Sequence, residues 1–521
     1  MRGACAVAGL TVLAVVGAGV PGVASAAGDD DRPDLSRYYT QKIEWAACKG
    51  GTKAMAETSG HIDDVRCGKV SVPLDYARPA AGTVDLAMIR MRSSAREPRG
   101  SLLLNFGGPG GPGVSALAGS QKEFGFLSKG YDVVSFDPRG VGLSAPVSCG
   151  DADGDTEPEL GEKDDPAAVL AELRKAAKEC EAHSGPVLPH MGTVNVSRDL
   201  DVMRAALGDK KLNYLGFSYG TRIGAVYAAQ FPKKVGRMVL DGVDTLTEPV
   251  AEQSLVLAEG RQTALDNFLT WCTGNAGCVF GTDARAARHS MVQLIQDMDA
   301  MPLRSMEGEE FTGQDVVGVL GQALYSRQAW PALSQALGAL LADGDPRALI
   351  RMSGGLAGGV GAAQLVGDEV PMDNMSAALM GVTCADDPDR PDAARVAKEV
   401  GRLKKEFEEA SPVFGTSMLM PVLLCFGRPP GTRYIRDDVR DVKTPKLLLV
   451  GTRGDPATPY RWTEETARRL GPQAVVLDNK GDGHTGYLAS TCVRDKVDGF
   501  LLYGETPKSG TSCAAEADSA Q

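Results

Sequence analysis

The alternation of predicted strands and helices along residues 100–243 restricts the fold more than any other feature of this chain. Apolar runs of strand length are separated by segments whose apolar residues recur at helical spacing, as in 197–208 and 221–232. This order predicts a mostly parallel, doubly wound sheet with helices on both faces. The predicted strands lie at the start of 101–113, at the start of 131–144, at 212–217 and at 235–243.

A long helical block interrupts this alternation. Residues 250–415 carry mostly helical patterns, and strand patterns return at 445–459 and 473–487. We therefore expect a helical cap inserted between two parts of one sheet. The expected division is a signal peptide at 1–26, the first part of the sheet domain at 27–244, the cap at 245–440, the second part of the sheet domain at 441–513 and a disordered tail at 514–521.

The N-terminus has the pattern of a secretory signal peptide. Arg2 precedes a run of small and apolar residues that ends at Val20, and Ala24-Ser25-Ala26 supplies a small-x-small cleavage site. A transmembrane anchor is the alternative, but the apolar core is short and rich in glycine and alanine. We expect an exported, extracellular protein without a membrane span in its mature form.

The cysteine count supports export. Cys5 lies in the leader, which leaves ten of the eleven cysteines for the mature chain, and an even number in an exported protein predicts disulfides. Ten cysteines allow roughly 900 complete pairings, so the sequence alone does not fix the connectivity. Pairing of neighbours along the chain gives Cys48–Cys67, Cys149–Cys180, Cys272–Cys278, Cys384–Cys425 and Cys492–Cys513.

Several ligand classes are disfavoured. A net charge of −12 argues against nucleic acid, whose phosphates require a basic face. We expect no metal, because the chain has no C-x-x-C and only five histidines. The glycine-rich loop 105–111 lacks the G-x-x-x-x-G-K-[ST] of a phosphate-binding loop, so no cofactor is expected either.

Ser218 lies in G-F-S-Y-G, between a predicted strand and a predicted helix. A G-x-S-x-G match by itself is weak in a chain with 63 glycines. The strand–turn–helix context is that of a nucleophile elbow, where the serine sits on a strained turn and bulk at Gly216 or Gly220 would crowd the neighbouring strand and helix. Ser218 is therefore a candidate nucleophile.

The chain order of such a triad is serine, acid, histidine. His61, His183 and His190 precede Ser218, and His289 lies in the helical block, which leaves His484 as the base. Asp455 follows the preceding strand and is the expected acid. Asp482 is a rival on the same loop as His484.

An oxyanion hole needs backbone N–H groups in a loop with little side-chain bulk. The glycine-rich loop follows the first strand of the alternating region, so the expected donors are the amide of Tyr219 and the amide of Gly107 or Gly108.

The segments GGPGG, DPRGVGLS, GFSYGT, VLDGV and DPATP together resemble the secreted actinobacterial tripeptidyl aminopeptidases, a family of the α/β-hydrolase superfamily related to the prolyl iminopeptidases. The resemblance covers about residues 40–513. It implies the α/β-hydrolase fold, release of short N-terminal peptides, and the same triad of Ser218, Asp455 and His484. It places the oxyanion loop at 105–111. Arg222, where an apolar or aromatic residue is expected, leaves the substrate preference open.

An aminopeptidase must also bind the free ammonium of its peptide substrate, and acidic residues of the cap are natural partners. The candidates are Glu248, Asp386 and Asp387. Two alternatives remain: a carboxylesterase or lipase with the same triad, and a secreted binding protein with a degenerate hydrolase fold. The sequence leaves open the number of residues released, the side-chain preference, the physiological substrate and the oligomeric state.

Overall fold

The computed structural model describes residues 33–59, 65–150, 166–304, 310–356, 370–390 and 392–516. The predicted signal peptide, residues 517–521 of the predicted tail and most of the glycine-rich stretch at 353–367 lie outside the described residues. Within the described ranges, no helix combines the length and apolar character needed to cross a bilayer.

A nine-stranded sheet with the order β1-β2-β4-β3-β5-β6-β9-β10-β11 runs through the molecule. Only the β1–β2 and β2–β4 pairs are antiparallel, and all the others are parallel. The mostly parallel sheet predicted from the alternation is therefore confirmed. The strands are β1 Val65–Pro73, β2 Thr83–Met91, β3 Ser101–Asn105, β4 Asp132–Phe136, β5 Leu212–Phe217, β6 Val235–Asp241, β7 Leu303–Arg304, β8 Glu310–Phe311, β9 Leu447–Gly454, β10 Ala474–Asp482 and β11 Ser512–Cys513.

Helices flank the sheet and form the cap. In chain order they are α1 Ser36–Tyr39, α2 Gly50–Ser59, α3 Gly113–Gly119, α4 Gln121–Phe124, α5 Pro166–Ser184, α6 Thr193–Ala206, α7 Tyr219–Gln230, α8 Val250–Thr273, α9 Ala284–Ala300, α10 Gly313–Ala323, α11 Trp330–Asp343, α12 Arg347–Leu356, α13 Asn374–Asp386, α14 Ala393–Ala410, α15 Met420–Leu423, α16 Tyr434–Asp438, α17 Tyr460–Leu470 and α18 Thr491–Asp498.

Both faces of the sheet are buried, which explains the continuous apolar runs in its strands. On β3, Leu103 belongs to a cluster with residues of α6 and α7, whereas Leu102 and Leu104 belong to a second cluster with residues of α3 and α18. Each fully buried aliphatic side chain of this kind contributes about 1.5–3 kcal/mol. Because successive side chains of a strand point to opposite faces, each strand packs against helices on both sides of the sheet.

The functional edge of the sheet follows from strand order. From β3 the chain continues to β4 on one side, and β5 pairs on the other side of β3. Open parallel sheets bind ligands in the crevice outside the carboxyl ends of the strands at such a switch point. The glycine-rich loop leaves β3 at this point, and Ser218 follows β5.

The inserted block has its own apolar core, in which Phe268, Trp330 and Phe414 are buried. Besides its helices it contains one short antiparallel ribbon, formed by β7 and β8. It also does not pack as a single unit. Ala378 and Val382 of α13 belong to the same apolar cluster as the sheet, so α13 packs as part of the sheet domain.

Disulfides join the same five cysteine pairs that neighbour pairing predicts. Cys384–Cys425 spans 41 residues and ties the end of α13 to the segment after α15. Each such cross-link contributes about 2–4 kcal/mol by restricting the unfolded chain.

Candidate active site

Ser218 occupies a strained turn between β5 and α7. Its φ of 55° and ψ of −127° lie where a residue with a Cβ is disfavoured. The turn is possible because its neighbours are glycines: a Cβ on Gly216 would lie 2.5 Å from the Gly220 carbonyl oxygen. The Ser218 N–H donates to the Asp241 carbonyl oxygen of β6 at 2.9 Å, which fixes the turn against the next strand. Ser218 remains half-buried.

Asp455 and His484 form a hydrogen-bonded acid–base pair. His484 Nδ1 lies 2.9 Å from Asp455 Oδ1 and 3.0 Å from Oδ2. The carboxylate also accepts hydrogen bonds from the N–H groups of Ala457, Thr458 and Thr485 and from the Thr458 hydroxyl, at 2.8–3.0 Å. These hydrogen bonds fix the orientation of the Asp455 carboxylate, which is also buried.

The charges of this pair stabilise each other. Burial alone would raise the pKa of Asp455, but the charge of His484 and the hydrogen bonds outweigh it and hold this pKa below the usual 3.8. Burial alone would lower the pKa of His484, but Asp455 outweighs burial and, with Asp241 and Asp244, raises this pKa above the usual 6.5. The site thus favours an imidazolium next to a carboxylate.

Ser218 and His484 both lie next to the residues at the end of β6. A Cβ added to Gly242 would lie 3.5 Å from His484 Cε1, and the residue before Gly242 accepts the Ser218 N–H. Neither Ser218 Oγ nor His484 Nε2 has a hydrogen-bond partner among the described residues. Catalytic hydrogen bonds of this type often tighten only when substrate binds.

Asp241, which the sequence did not single out, anchors the chain after His484. Its carboxylate accepts the N–H groups of Gly486 and Tyr487 at 2.8 and 2.7 Å. Burial raises the pKa of Asp241 to about 6. Residues 482–487, which carry His484 and are called the histidine loop below, are therefore tied to β6 as well as to Asp455.

The glycine-rich loop lies directly on the elbow. A Cβ on Gly107 would lie 2.6 Å from the Phe217 carbonyl oxygen and 2.9 Å from Ser218 Cβ. The Gly107 N–H donates to Asn105 Oδ1 at 3.0 Å. This engagement favours Gly108 over Gly107 as the second expected oxyanion donor, and the donor role of both stays a prediction. The N–H groups of Gly108 and Tyr219 donate to no acceptor among the described residues.

A buried polar network lies beneath Tyr219. The Tyr219 hydroxyl is 2.6 Å from Thr193 Oγ1, and the N–H and hydroxyl of Thr193 both bond to the Asp386 carboxylate of α13. Arg222 pairs with Asp244 at 3.1 Å and with Asp386 at 3.9 Å. Burial raises the pKa of Asp386 to about 6. The unexpected arginine on α7 thus has carboxylate partners.

The expected ammonium ligands have other partners. Both carboxylate oxygens of Glu248 are occupied, by Arg461 Nη2 and Trp462 Nε1 at 2.6 Å each. Asp387 pairs with Arg436 at 3.1 Å. Asp386 is buried in the network beneath Tyr219. The three side chains are also only 3–10% exposed, which disfavours contact with a substrate's ammonium; the role expected of them stays a prediction.

Asp482, the rival acid, has no hydrogen bond to His484 among the described contacts. Its carboxylate binds Asn267 Nδ2 and Arg327 Nη1 at 2.7 and 2.9 Å. Of the residues that the sequence missed, Thr458 had a detectable signal, because an aspartate often accepts N–H groups two and three residues further on. Asp241, Asp244 and Thr193 had none, since their contacts join remote parts of the chain.

Known proteins resemble this chain over nearly its whole length. The model of the family described as TAP-like protein matches residues 411–513. Serine protease Hip1 of Mycobacterium tuberculosis (strain H37Rv) is 34% identical over 504 residues, 91% of each chain. The tripeptidyl aminopeptidase of Streptomyces lividans is 32% identical over 472 residues, 87% of this chain and 84% of that protein. Carboxylesterase B of M. tuberculosis (strain CDC 1551) is 31% identical over 486 residues, 90% of this chain and 89% of that protein.

These matches and the site geometry agree. Two relatives named as peptidases cover most of the chain at more than 30% identity, and the family model ends at Cys513, the last cysteine. The sheet order and the elbow are those of a hydrolase of this superfamily. The chain therefore belongs to the tripeptidyl aminopeptidase family of α/β-hydrolase serine peptidases.

Proposed function

We propose that this protein is an exported exopeptidase that releases short, tripeptide-like N-terminal segments from peptides through an acyl-enzyme on Ser218. The observation that carries the proposal is the Asp455–His484 hydrogen bond at 2.9 Å beside a serine with positive φ. Family membership supports peptide substrates, and a Streptomyces relative is named a tripeptidyl aminopeptidase.

The first step is acylation. His484 Nε2 accepts the proton of Ser218 Oγ as the oxygen attacks the peptide carbonyl carbon. Negative charge then develops on the carbonyl oxygen, and the N–H groups of Gly108 and Tyr219 stabilise it. The imidazolium of His484, stabilised by Asp455, donates its proton to the leaving amine, and the peptide bond breaks.

The second step repeats this chemistry with water. Neutral His484 accepts a proton from a water molecule, whose oxygen attacks the acyl carbon. The proton then returns to Ser218 Oγ as the ester bond breaks. No metal or organic cofactor is required for either step.

Recognition of the substrate's ammonium requires a carboxylate whose negative charge is not fully neutralised by a neighbouring cation. Arg222 is shared by Asp244 and Asp386, so this cluster keeps one negative charge in excess when both acids are ionised. The side chain of Asp244 is 15% exposed, whereas that of Asp386 is 3% exposed. We assign the ammonium contact to Asp244. In Asp244→Asn, KM should rise for peptides with a free N-terminus; an unchanged KM would remove Asp244 from this role.

A chromogenic peptide panel tests the proposed function. Peptides of one to four residues on the acyl side, each with a free or an acetylated N-terminus, are compared with wild-type and Ser218→Ala protein. We expect the free tripeptide to be cleaved fastest and Ser218→Ala to be inactive but folded. Equal cleavage of free and acetylated peptides would contradict an exopeptidase.

A carboxylesterase is the second candidate, because one relative of similar coverage carries that name. The same triad hydrolyses esters and amides, so the geometry does not separate them. Short-chain acyl esters belong in the same panel. A kcat/KM for esters far above that for every peptide would favour the esterase.

Export is part of the proposal, supported by the leader pattern and the five disulfides. The N-terminal mass of protein recovered from culture medium checks it. We expect the mature chain to begin at Ala27; retention in the cytoplasm with residues 1–26 attached would contradict it.

A further inference from the structure

Three consecutive residues of the histidine loop contact the cap. The Asp482 carboxylate accepts hydrogen bonds from Asn267 Nδ2 at 2.7 Å and from Arg327 Nη1 at 2.9 Å. The His484 N–H donates to the Tyr325 carbonyl oxygen at 2.8 Å. The rings of Tyr325 and His484 meet edge to face with centroids 5.1 Å apart. The residue proposed as the base is therefore held from the cap by its own main chain and by its second neighbour.

Gly483 makes this close approach possible. Its φ is +97°, and a Cβ at this position would lie 2.8 Å from the Tyr325 carbonyl oxygen. Its N–H donates to the Gly454 carbonyl oxygen of β9 at 3.2 Å. The loop is thus held between the end of β9 on one side and the cap on the other.

The cap residues that make these contacts lie in or next to elements that pack into the apolar core of the cap. Asn267 is in α8, which contributes Leu265 and Phe268 to the apolar core of the cap. Tyr325 and Arg327 lie in the short link between α10 and α11. The Arg327 guanidinium is 5.0 Å from the ring centroid of Trp330, a residue buried in that core. The contacts therefore couple the packing of the cap to the histidine loop.

We propose that three cap residues are positioning residues that hold His484 in register with Asp455: Asn267 and Arg327 act through Asp482, and Tyr325 acts directly on His484. In this account the cap completes the catalytic site as well as covering it. The inference rests on the proposed function, because it takes His484 as the base. Misplacement of a catalytic group by about 1 Å can cost about 100-fold in rate.

Arg327→Ala and Asp482→Asn test the proposal in the full-length protein. We expect each to lower kcat about tenfold or more, with KM changed less than about twofold, because substrate contacts are retained. We also expect the acidic limb of kcat/KM to move to lower pH, since a looser loop weakens the Asp455–His484 hydrogen bond that raises the pKa of His484. The carboxylates that raise the pKa of His484 most, namely Asp455, Asp241 and Asp244, are unchanged in both variants.

Arg461→Ala is the matched control. It removes the ion pairs of Arg461 with Glu248, Glu252 and Glu259, which join the same two regions, and one within α17 with Glu465. None of these pairs includes a residue of the histidine loop. Arg461→Ala should lose thermal stability but keep the wild-type kcat and pH profile. Arg327→Lys should recover part of the activity lost in Arg327→Ala, because a cation again faces Asp482 but the stacking of the guanidinium on Trp330 is lost.

The proposal is overturned if Arg327→Ala and Asp482→Asn keep the wild-type kcat and acidic limb, or if Arg461→Ala loses kcat and shifts its acidic limb as they do. His484→Ala separates this failure from failure of the proposed function. An inactive His484→Ala with a fully active Arg327→Ala removes only the positioning role. An active His484→Ala removes the proposed mechanism itself.

Discussion

At the scale of single residues, the turn at Ser218 depends on what its neighbours lack. Gly216 and Gly220 lie where β5, α7 and the glycine-rich loop approach one another. A Cβ on Gly220 would lie 2.7 Å from the Asn105 carbonyl oxygen. The G-x-S-x-G pattern is therefore a steric requirement in this chain, because the strained turn at Ser218 leaves no room for a Cβ on either glycine.

Gly216→Ala should destabilise the protein by about 1–3 kcal/mol, because its Cβ would meet the Gly220 carbonyl oxygen and little in the tight turn can move. Thermal unfolding measures the loss. Gly338→Ala is the control: this glycine lies inside α11 with open space around it, and the alanine should be neutral or stabilising by up to about 1 kcal/mol. Equal stability of the two variants would contradict the steric account.

In the proposed mechanism, the titration of His484 sets the acidic limb of activity. The imidazole must be neutral to accept the Ser218 proton, and its pKa lies above 6.5 because Asp455 stabilises the charged form. Activity should therefore fall as the pH drops through a midpoint above 6.5. The pH dependence of kcat/KM checks this with two unrelated substrates, since a free-enzyme pKa is common to both. A midpoint below 6.5 would contradict the electrostatic account.

The sequence predicts those site residues that carry a local pattern. Ser218 is identified by glycines and element context, and His484 by elimination among five histidines. It fails where one residue type has many copies. Among 67 acidic residues, nothing local distinguishes Asp241, which anchors the histidine loop, from Glu248, which binds Arg461 and Trp462. Arg222 was seen as a departure, but its partners became identifiable only in three dimensions.

At the scale of elements, α13 connects the two halves of the proposed oxyanion hole. A Cβ on Gly110 would lie 2.7 Å from the Met375 carbonyl oxygen, so the first turn of α13 covers the glycine-rich loop. The other end of α13 carries Asp386, which holds Thr193 and through it the Tyr219 hydroxyl. One helix thus supports both proposed donors.

Thr193→Val tests this support. The substitution keeps the shape of the side chain but removes the hydroxyl, which leaves Asp386 Oδ2 and the Tyr219 hydroxyl each without that partner. We expect a loss of about 1–3 kcal/mol in stability and a lower kcat. Thermal unfolding and peptide hydrolysis measure the two effects. The control Thr263→Val, on the exposed face of α8, should change neither the stability nor kcat. A wild-type kcat in Thr193→Val would show that the network does not contribute to catalysis.

The existence of most elements could be predicted, but their packing could not. The predicted helix 197–208 begins at Thr193 instead, because the turn before it starts at Gly192, which packs against α13. Likewise, α13 is helical as the pattern indicates, yet its apolar face joins the sheet and not the cap. Periodicity gives the helix and its apolar face, but it carries no information about which partner that face meets.

At the scale of the whole molecule, the disulfides are distributed over both the sheet domain and the inserted block. Cys48–Cys67 joins β1 to the segment before α2, Cys272–Cys278 closes the end of α8, and Cys492–Cys513 joins α18 to β11. Because each restricts a different part of the unfolded chain, their effects on stability should accumulate.

Reduction should therefore lower the thermal midpoint strongly. Unfolding is measured for the oxidised protein and for protein that has been treated with a membrane-permeant thiol reductant and then alkylated to prevent reoxidation. We expect a fall of more than about 10 °C, since each bond contributes about 2–4 kcal/mol. As a control, alkylation without reduction should leave the midpoint unchanged. Equal midpoints for the reduced and oxidised proteins would mean that the fold does not depend on these bonds.

The central claim is that Ser218 is the nucleophile and that His484 activates it. A fluorophosphonate probe followed by peptide mapping with mass spectrometry tests both parts in one measurement. We predict a single adduct on the peptide containing Ser218, and labelling slower by at least about 100-fold in His484→Ala, because the serine then has no base. An adduct on another residue, or equally fast labelling of His484→Ala, would contradict the account.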